Sequence, residues 1–351
     1  MTSLIYQLLI SATSFLLFLA CFQHFTDAQG IGVTLARDMQ KPPPPKAILW
    51  LLRQKNIKKV RVYDAFNDRD LLEALQDTGI DVLVGMNNDD VYRVAADVSS
   101  NEAAKWLEQN IKPYYEKVSF RCLQIGRRMS QQGNRQISAV FQALVHVQTA
   151  QKRLGLDISL GIDLDTNVMT ESFPPSAASF DVSILPVLRP MLTFMEHNMG
   201  TLIVSIYPMI RYVTDLYYEY KGVSIDYALL NGETVVVTDN GLQYTNMMDG
   251  LMDAFYTSLK KLGISMRVIV GETGWPSSSE VKYATQKLAG EYIYNLAERL
   301  KNNVGTPLKP QWHVETFIHT LYVQDKNNDG MYKWYGMFYP NGSPANPYLS
   351  L

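Results

Sequence analysis

The sequence repeats one pattern along nearly its whole length, in which a short β-branched apolar run is followed by an amphipathic stretch. Eight runs have the length and composition of buried strands: Gly32–Leu35, Lys59–Tyr63, Ile80–Val84, Phe120–Ile125, Ile158–Ile162, Leu202–Ile206, Arg267–Val270 and His313–Ile318. The clearest amphipathic stretches between them are Lys46–Lys55, Asp70–Thr78, Glu102–Ile111, Ile137–Leu154, Met247–Leu262 and Lys282–Leu300.

Alternation of strands with helices predicts a parallel sheet. Eight such units match, in count and length, a single (β/α)8 TIM barrel in the α/β class. A doubly wound open sheet is the alternative, but no glycine-rich phosphate loop follows any strand, which removes the usual reason to expect it. The four prolines Pro42–Pro45 precede a predicted helix and indicate a stiff loop; a polyproline-binding partner is the weaker interpretation.

The composition restricts the function. Among 351 residues, 32 Lys and Arg nearly balance 34 Asp and Glu, so no basic surface for nucleic acid is expected. Two cysteines cannot form a disulfide scaffold, and neither the cysteines nor the five histidines show zinc-ligand spacing. No metal or cofactor is therefore expected, and the favoured ligands are a neutral small molecule, a glycan or a protein surface.

The first residues have the pattern of an export signal. An apolar run covers Ile5–Phe22, and the small residues Thr26 and Ala28 stand at the two positions that a signal peptidase reads. We expect residues 1–28 to be a signal peptide and residues 29–351 to be one barrel domain, secreted to the extracellular space. The lack of Lys or Arg before the run leaves an uncleaved signal anchor as the alternative. After cleavage Cys122 is the only thiol, expected to be a small buried apolar residue.

Barrel geometry indicates where the chemistry lies, because active sites of this fold are at the carboxyl ends of the strands. The residues there include Tyr63, Asn87, Tyr207, Glu272 and Trp275. Aromatic faces cover the apolar face of a sugar ring, while amides and carboxylates bind its hydroxyl groups. One glutamate among aromatic and amide side chains therefore predicts a carbohydrate site.

At these residues the sequence resembles the plant β-1,3-glucanases of glycoside hydrolase family 17. The most specific motif is Glu272–Ser277, which reads ETGWPS, and further matches run in order along the chain: Ile31–Val33, Lys59–Asp64, Phe173–Ser176, Ile206–Pro208, Asp226–Leu229, Gly305–Leu308 and Gly336–Gly342. The resemblance implies a β/α barrel secreted to the cell wall, with β-1,3-glucan or an oligosaccharide as its partner. We take it to act as a monomer, without stable membrane insertion.

The resemblance also assigns residues to the site. It makes Glu272 the nucleophile of a retaining glycosidase, a reaction that also needs a general acid about 5–5.5 Å away. The family has Val-Gly-Asn-Glu at the end of strand four, where this chain has Ile125-Gly126-Arg127-Arg128, so Arg128 occupies the acid position. An arginine cannot donate a proton at any relevant pH. No glutamate occurs between Lys117 and Thr170 to replace it.

Other positions show the same mixture of retention and loss. In its first strand the family usually has tyrosine and glycine, where this chain has Leu35 and Ala36. A later family glutamate is replaced by Gln324 in this chain. The residues expected to contact sugar are Tyr63, Asn87, Tyr207, Trp275, Gln324 and Phe338.

Three functions remain open: a β-1,3-glucan hydrolase with weak or lost activity, a non-catalytic glucan- or oligosaccharide-binding protein, and a secreted interaction scaffold. The sequon at Asn341, followed by Pro344, is expected to be poorly used for glycosylation.

Overall fold

The computed structural model describes residues 31–348, except for residue 38 and residues 129–132, 215–221, 303 and 325–331. The expected signal peptide lies outside the described residues. Cleavage and secretion therefore stay predictions. Among the described helices, none combines the length and the apolar character needed to cross a membrane.

Eight parallel strands close into a barrel, as the sequence predicts. With all strands numbered in chain order, the barrel strands are β1 Gly32–Thr34, β2 Lys59–Val62, β3 Asp81–Met86, β4 Ser119–Ile125, β5 Leu160–Asp165, β8 Thr201–Ser205, β11 Arg267–Thr273 and β12 Thr316–Ile318. The first strand pairs with β2 on one side and with β12 on the other, which closes the sheet. This closure excludes the open sheet.

Helices surround the barrel. They are α1 Pro45–Gln54, α2 Arg69–Leu75, α3 Asn88–Ala96, α4 Asn101–Asn110, α5 Asn134–Leu154, α6 Leu185–His197, α7 Pro208–Thr214, α8 Met247–Lys261 and α9 Gln286–Lys301. The six helices expected from the sequence are all present. Two short hairpins lie outside the barrel, β6 Met169–Glu171 with β7 Ser179–Phe180, and β9 Val237–Asp239 with β10 Leu242–Tyr244.

Three helices were not expected from the sequence, and each has a weak sequence signal. The first turn of α3 is polar and acidic, and its start is fixed by the Asn87 side chain, which accepts a hydrogen bond from the Asp90 backbone N–H. Pro190 lies inside α6, where proline normally argues against a helix. The third, α7, has only seven residues. Pro45, by contrast, is the first residue of α1, so the proline run leads directly into that helix.

Two parts of the barrel interior bear on the site. Near the amino ends of the strands, a small apolar cluster fills it: Leu83, Cys122, Ile203, Ile269 and Phe317. Burial raises the pKa of the Cys122 thiol to about 12, which agrees with its expected role as a small apolar residue. Towards the carboxyl ends the interior becomes polar.

Prediction for the barrel wall: Gly85→Ala lowers the free energy of unfolding by about 3 kcal/mol, because overpacking against backbone cannot be relieved by a rotamer change. A Cβ on Gly85 would lie 2.2 Å from the Tyr63 carbonyl oxygen. The matched control is Gly79→Ala, where no atom lies within 4 Å of the new Cβ. The only cost there comes from placing alanine in a left-handed backbone conformation, at φ +69°. Its cost is about 1 kcal/mol. Urea unfolding measures both, and equal losses would contradict the close approach at Gly85.

Candidate functional site

Glu272 is the centre of the polar layer. It is fully buried near the end of β11, and its two oxygens accept hydrogen bonds from four side chains. Oε1 accepts from the Tyr63 hydroxyl at 2.7 Å and from Arg127 Nη2 at 3.2 Å. Oε2 accepts from the Tyr207 hydroxyl at 2.8 Å and from Arg128 Nη2 at 3.1 Å. The structure thus brings Glu272, Arg128, Tyr63 and Tyr207 together, as the sequence predicts, and adds Arg127.

A β-bulge aims Glu272 into the barrel. The register of β11 against β8 shifts between Val270 and Glu272, which breaks the alternation of side chains along the strand. Gly271 lies beside Glu272, and a Cβ there would come within 2.7 Å of Arg61 Nη1 and 2.2 Å of Ile203. The glycine therefore leaves the space that Arg61 occupies below the carboxylate.

The two arginines come from the loop after β4. Gly126 has φ +72° and Arg128 has φ +51°, so the chain turns sharply here. Asn88 holds the turn from the neighbouring loop, because its side chain accepts from the Arg127 backbone N–H at 2.8 Å and donates to the Arg127 carbonyl at 3.1 Å. The Arg127 guanidinium also lies over the Tyr63 ring, 3.8 Å from its centroid. Both guanidiniums are thereby positioned against Glu272.

Arg61 forms the floor of the site. It is fully buried on β2, and it donates to Gln124 Oε1 through Nε at 3.1 Å and through Nη2 at 2.7 Å. Its Nη2 also donates to Asp163 Oδ2 at 2.8 Å, and Nη1 lies 3.5 Å from Glu272 Oε1. Ser205 completes the layer by donating to Asp163 Oδ1 at 3.1 Å. One arginine thus joins two buried carboxylates.

These arginines decide the charge of Glu272. Burial by itself raises the pKa of a carboxyl group, but the guanidiniums of Arg127, Arg61 and Arg128, together with His319, hold the pKa of Glu272 well below its usual range. The carboxylate is therefore ionised at any physiological pH. Burial raises the pKa of Tyr207, and nearby Glu272 adds to the effect, so this hydroxyl stays a hydrogen-bond donor.

An aromatic cluster lies on one side of the carboxylate. His319 follows β12, and its Nδ1 lies 3.2 Å from the Tyr63 hydroxyl and 3.0 Å from Thr34 Oγ1. The Tyr207 and Tyr335 rings meet edge to face with centroids 5.4 Å apart. These rings form an apolar wall beside the charged groups.

Asn87 and Gln324 are held by protein groups. The Asn87 Nδ2 donates to the Asp64 carboxylate, with distances of 3.1 and 3.2 Å to its two oxygens, while its Oδ1 caps α3. Gln324 is buried and donates to the Ala36 carbonyl at 2.8 Å and to the Tyr322 carbonyl at 2.9 Å. Their expected role in sugar binding stays a prediction.

Trp275 and Phe338 lie in the hydrophobic core and not beside Glu272. Trp275 is 2% exposed, and its indole N–H donates to the Tyr283 carbonyl at 3.0 Å. Phe338 is 1% exposed, with the Lys55 ammonium 5.5 Å from its ring centroid. The structure gives both aromatic side chains a packing role, so of the four aromatic residues expected in the cleft, it brings Tyr63 and Tyr207 to Glu272.

Comparison with known proteins agrees with this geometry. The model of the glycosyl hydrolases family 17 matches residues 31–347. The chain belongs to this family.

Its relatives cover nearly the whole chain. A putative glucan endo-1,3-β-glucosidase GVI of Hordeum vulgare is 32% identical over 318 residues, 90% of this chain and 95% of the barley protein. A probable glucan endo-1,3-β-glucosidase of Arabidopsis thaliana is 30% identical over 334 residues, 94% of each chain. Among solved structures, the β-1,3-glucanase and pollen allergen CJP38 of Cryptomeria japonica superposes with a TM-score of 0.84 at 28% identity, covering 91% of this chain and 98% of its own. These likenesses confirm the family resemblance and the barrel.

Sequence reasoning missed four members of the site. Arg127 was noted only as a replacement for asparagine, although its side chain contacts the same carboxylate as Arg128. A signal for Arg61 was present, because an arginine in the apolar run of β2 must point into the barrel if Val60 and Val62 face the helices. His319 and Asp163 have no comparable local signal. No group of three or more metal-ligating side chains occurs within the described ranges.

Prediction for the central ion pairs: Glu272→Gln lowers the free energy of unfolding by about 3 kcal/mol at pH 7, because it leaves the guanidiniums without their counter-ion. Since the pKa of Glu272 is lower folded than unfolded, its contribution is complete above about pH 4.5 and falls as the pH drops further. Chemical unfolding of both proteins between pH 3 and pH 7 measures the difference. A difference that stays constant on acidification would show that Glu272 is not held as a carboxylate.

Prediction for His319: burial lowers the pKa of this imidazole to about 4 from about 6.5. As the pH is lowered, the unfolded chain binds a proton here before the folded chain does. The free energy of unfolding therefore decreases by about 3 kcal/mol as the pH is lowered from about 6.5 to about 4. His319→Gln removes that part of the pH dependence. A profile insensitive to His319→Gln would disprove the assignment.

Proposed function

We propose that this family 17 barrel is a secreted, glucan-directed protein that binds β-1,3-glucan or its oligosaccharides and hydrolyses them very slowly or not at all. The observation that carries the proposal is the pairing of Glu272 with Arg127 and Arg128, in place of a general acid. Three arguments support it: the missing acid, the occupied nucleophile and the retained mouth of the cleft.

The first argument concerns the acid. A positioned general acid contributes a factor of about 10²–10⁴ in rate, and a sugar alkoxide is a poor leaving group without it. Arg128 stays charged, and burial, which alone would lower its pKa, is outweighed by nearby Glu272. Asp163 is not a substitute among the described carboxylates, because it is buried below the site and bound to Arg61 and Ser205.

The second argument concerns the nucleophile. A carboxylate offers about four lone-pair sites, and Glu272 accepts hydrogen bonds from Tyr63, Arg127, Arg128 and Tyr207. Attack on an anomeric carbon requires at least one of the charged donors to leave. A hydrogen bond to a charged group is worth about 1.5–3 kcal/mol, so release adds to a barrier that already lacks acid assistance. A fixed positive charge also opposes a transition state of oxocarbenium character.

The third argument concerns binding. Tyr63 and Tyr207 remain at the mouth of the barrel, each half-buried and next to the charged cluster. The relatives that match along the whole chain are named for action on 1,3-β-glucan, as is the superposed pollen protein. A barrel that keeps its overall shape and mouth while its reacting carboxylate is blocked is suited to hold the polymer without cutting it.

Prediction for turnover: the protein releases no reducing sugar from laminarin above about one ten-thousandth of the rate of an active family member, since it lacks both acid and free nucleophile. An aryl β-laminaribioside with a dinitrophenyl leaving group needs no acid, and it also stays uncleaved because Glu272 is held. Calorimetry with laminaripentaose detects binding. Rapid laminarin hydrolysis that is abolished in Glu272→Gln would contradict the proposal, and absence of any glucan binding would leave the scaffold function.

Prediction for restoration: Arg127→Asn with Arg128→Glu supplies the carboxylic acid and releases Glu272, so laminarin hydrolysis rises at least 100-fold above the parent. Arg127→Asn with Arg128→Gln is the matched control, since it releases the nucleophile without supplying an acid. The control is expected to cleave the dinitrophenyl substrate but not laminarin. Equal inactivity of both double variants on both substrates, with both folded by circular dichroism, would show that the cleft is blocked by something other than the arginines.

A further inference from the structure

We infer that the barrel mouth prefers a β-1,3-linked oligosaccharide that carries carboxylate groups over the neutral glucan. This inference rests on the proposed function, because it names the chemistry of the glycan that the same site would hold. It follows from the charges of the site and from the donors of Arg127.

The charged groups that are ion-paired to one another through Glu272 and Arg61 do not balance. Arg61, Arg127 and Arg128 contribute three positive charges, and Glu272 and Asp163 contribute two negative charges. His319 stays neutral above its lowered pKa of about 4. The cluster therefore keeps one positive charge next to the cleft, in a partly dehydrated position where a charge acts more strongly than in water.

Arg127 is the guanidinium with donors to spare. Within the described residues, its side chain hydrogen-bonds only through Nη2, to Glu272 at 3.2 Å, while Nε is buried without a partner. The side chain is 34% exposed, and that of Arg128 is 32% exposed. Both therefore reach the solvent side of the carboxylate they hold, at the carboxyl ends of the strands.

The donors are already arranged around a carboxylate. Glu272 itself shows which ligand chemistry they accept, namely a planar anion that takes hydrogen bonds from guanidinium and phenol groups. Two rim carboxylates, Asp64 and Asp165, add negative charge that opposes a second anion, but neither hydrogen-bonds to Arg127 or pairs with it. Asp64 accepts from the Asn67 and Asn87 side chains, and Asp165 Oδ1 accepts from the Asn167 backbone N–H.

A sugar carboxylate fits these surroundings better than a free anion does. The half-buried Tyr207 ring lies beside Arg128, since both donate to Glu272 Oε2, and it offers an apolar surface on which a pyranose ring packs. A hexose oxidised at C6 carries its carboxylate at the edge of the pyranose ring, so one ligand can contact the Tyr207 ring and a guanidinium together.

The test compares laminaripentaose with the same oligosaccharide oxidised at C6 to the glucuronate, by calorimetry at 50 and 500 mM NaCl. We expect the oxidised ligand to bind at least tenfold more tightly at low salt and to lose most of that preference at high salt. Arg127→Gln is expected to lower the preference about tenfold and Arg127→Lys to keep a part of it. Arg53→Gln, on the exposed face of α1, is the matched control and leaves the preference unchanged.

The outcomes separate this inference from the proposed function. Equal affinity for both ligands, or a preference that Arg127→Gln and Arg128→Gln leave intact in folded protein, overturns the inference while glucan binding stands. Binding of the oxidised ligand alone supports the inference and shows that neutral glucan is not the ligand. Binding of neither ligand overturns both.

Discussion

The ion pairs between Glu272 and the two arginines after β4 are the interaction on which the chemistry of this barrel depends. Without Arg127 and Arg128, Glu272 would lose two of the positive charges that hold its pKa down and would have room to react. With them it is a fixed anion that accepts hydrogen bonds on both oxygens. In the proposed function, the arginine that stands in place of the proton donor also occupies the nucleophile, so the two losses have one physical cause.

The barrel supplies the conditions that make these pairs strong. The apolar cluster around Cys122 and Phe317 closes the lower half of the barrel, and Arg61 separates it from the site. A bulge in β11 turns Glu272 inward, and the sharp turn at Gly126 brings the arginines over it. Each local departure from regular geometry lies at the end of a strand, where the fold tolerates it and where function is found in this architecture.

The sequence was sufficient for the fold and for part of the site. Strand and helix periodicity predicted the eight barrel strands, and the ETGWPS motif with the strand-four arginines predicted that Glu272 and Arg128 would face each other. The burial of Trp275 and Phe338 in the core could not be predicted, because an aromatic residue after a strand has the same local sequence pattern whether it lines a cleft or packs into the core. Arg127 and His319 join the site only through tertiary contacts between distant loops.

Covalent trapping of Glu272 tests the central claim most directly. A 2-deoxy-2-fluoro β-laminaribioside with a dinitrophenyl leaving group forms a stable glycosyl ester on a free nucleophile and needs no general acid. Intact-protein mass spectrometry after prolonged incubation is expected to show no adduct, because Arg127 and Arg128 hold the carboxylate. Stoichiometric labelling of Glu272 in the unmodified protein would contradict the account.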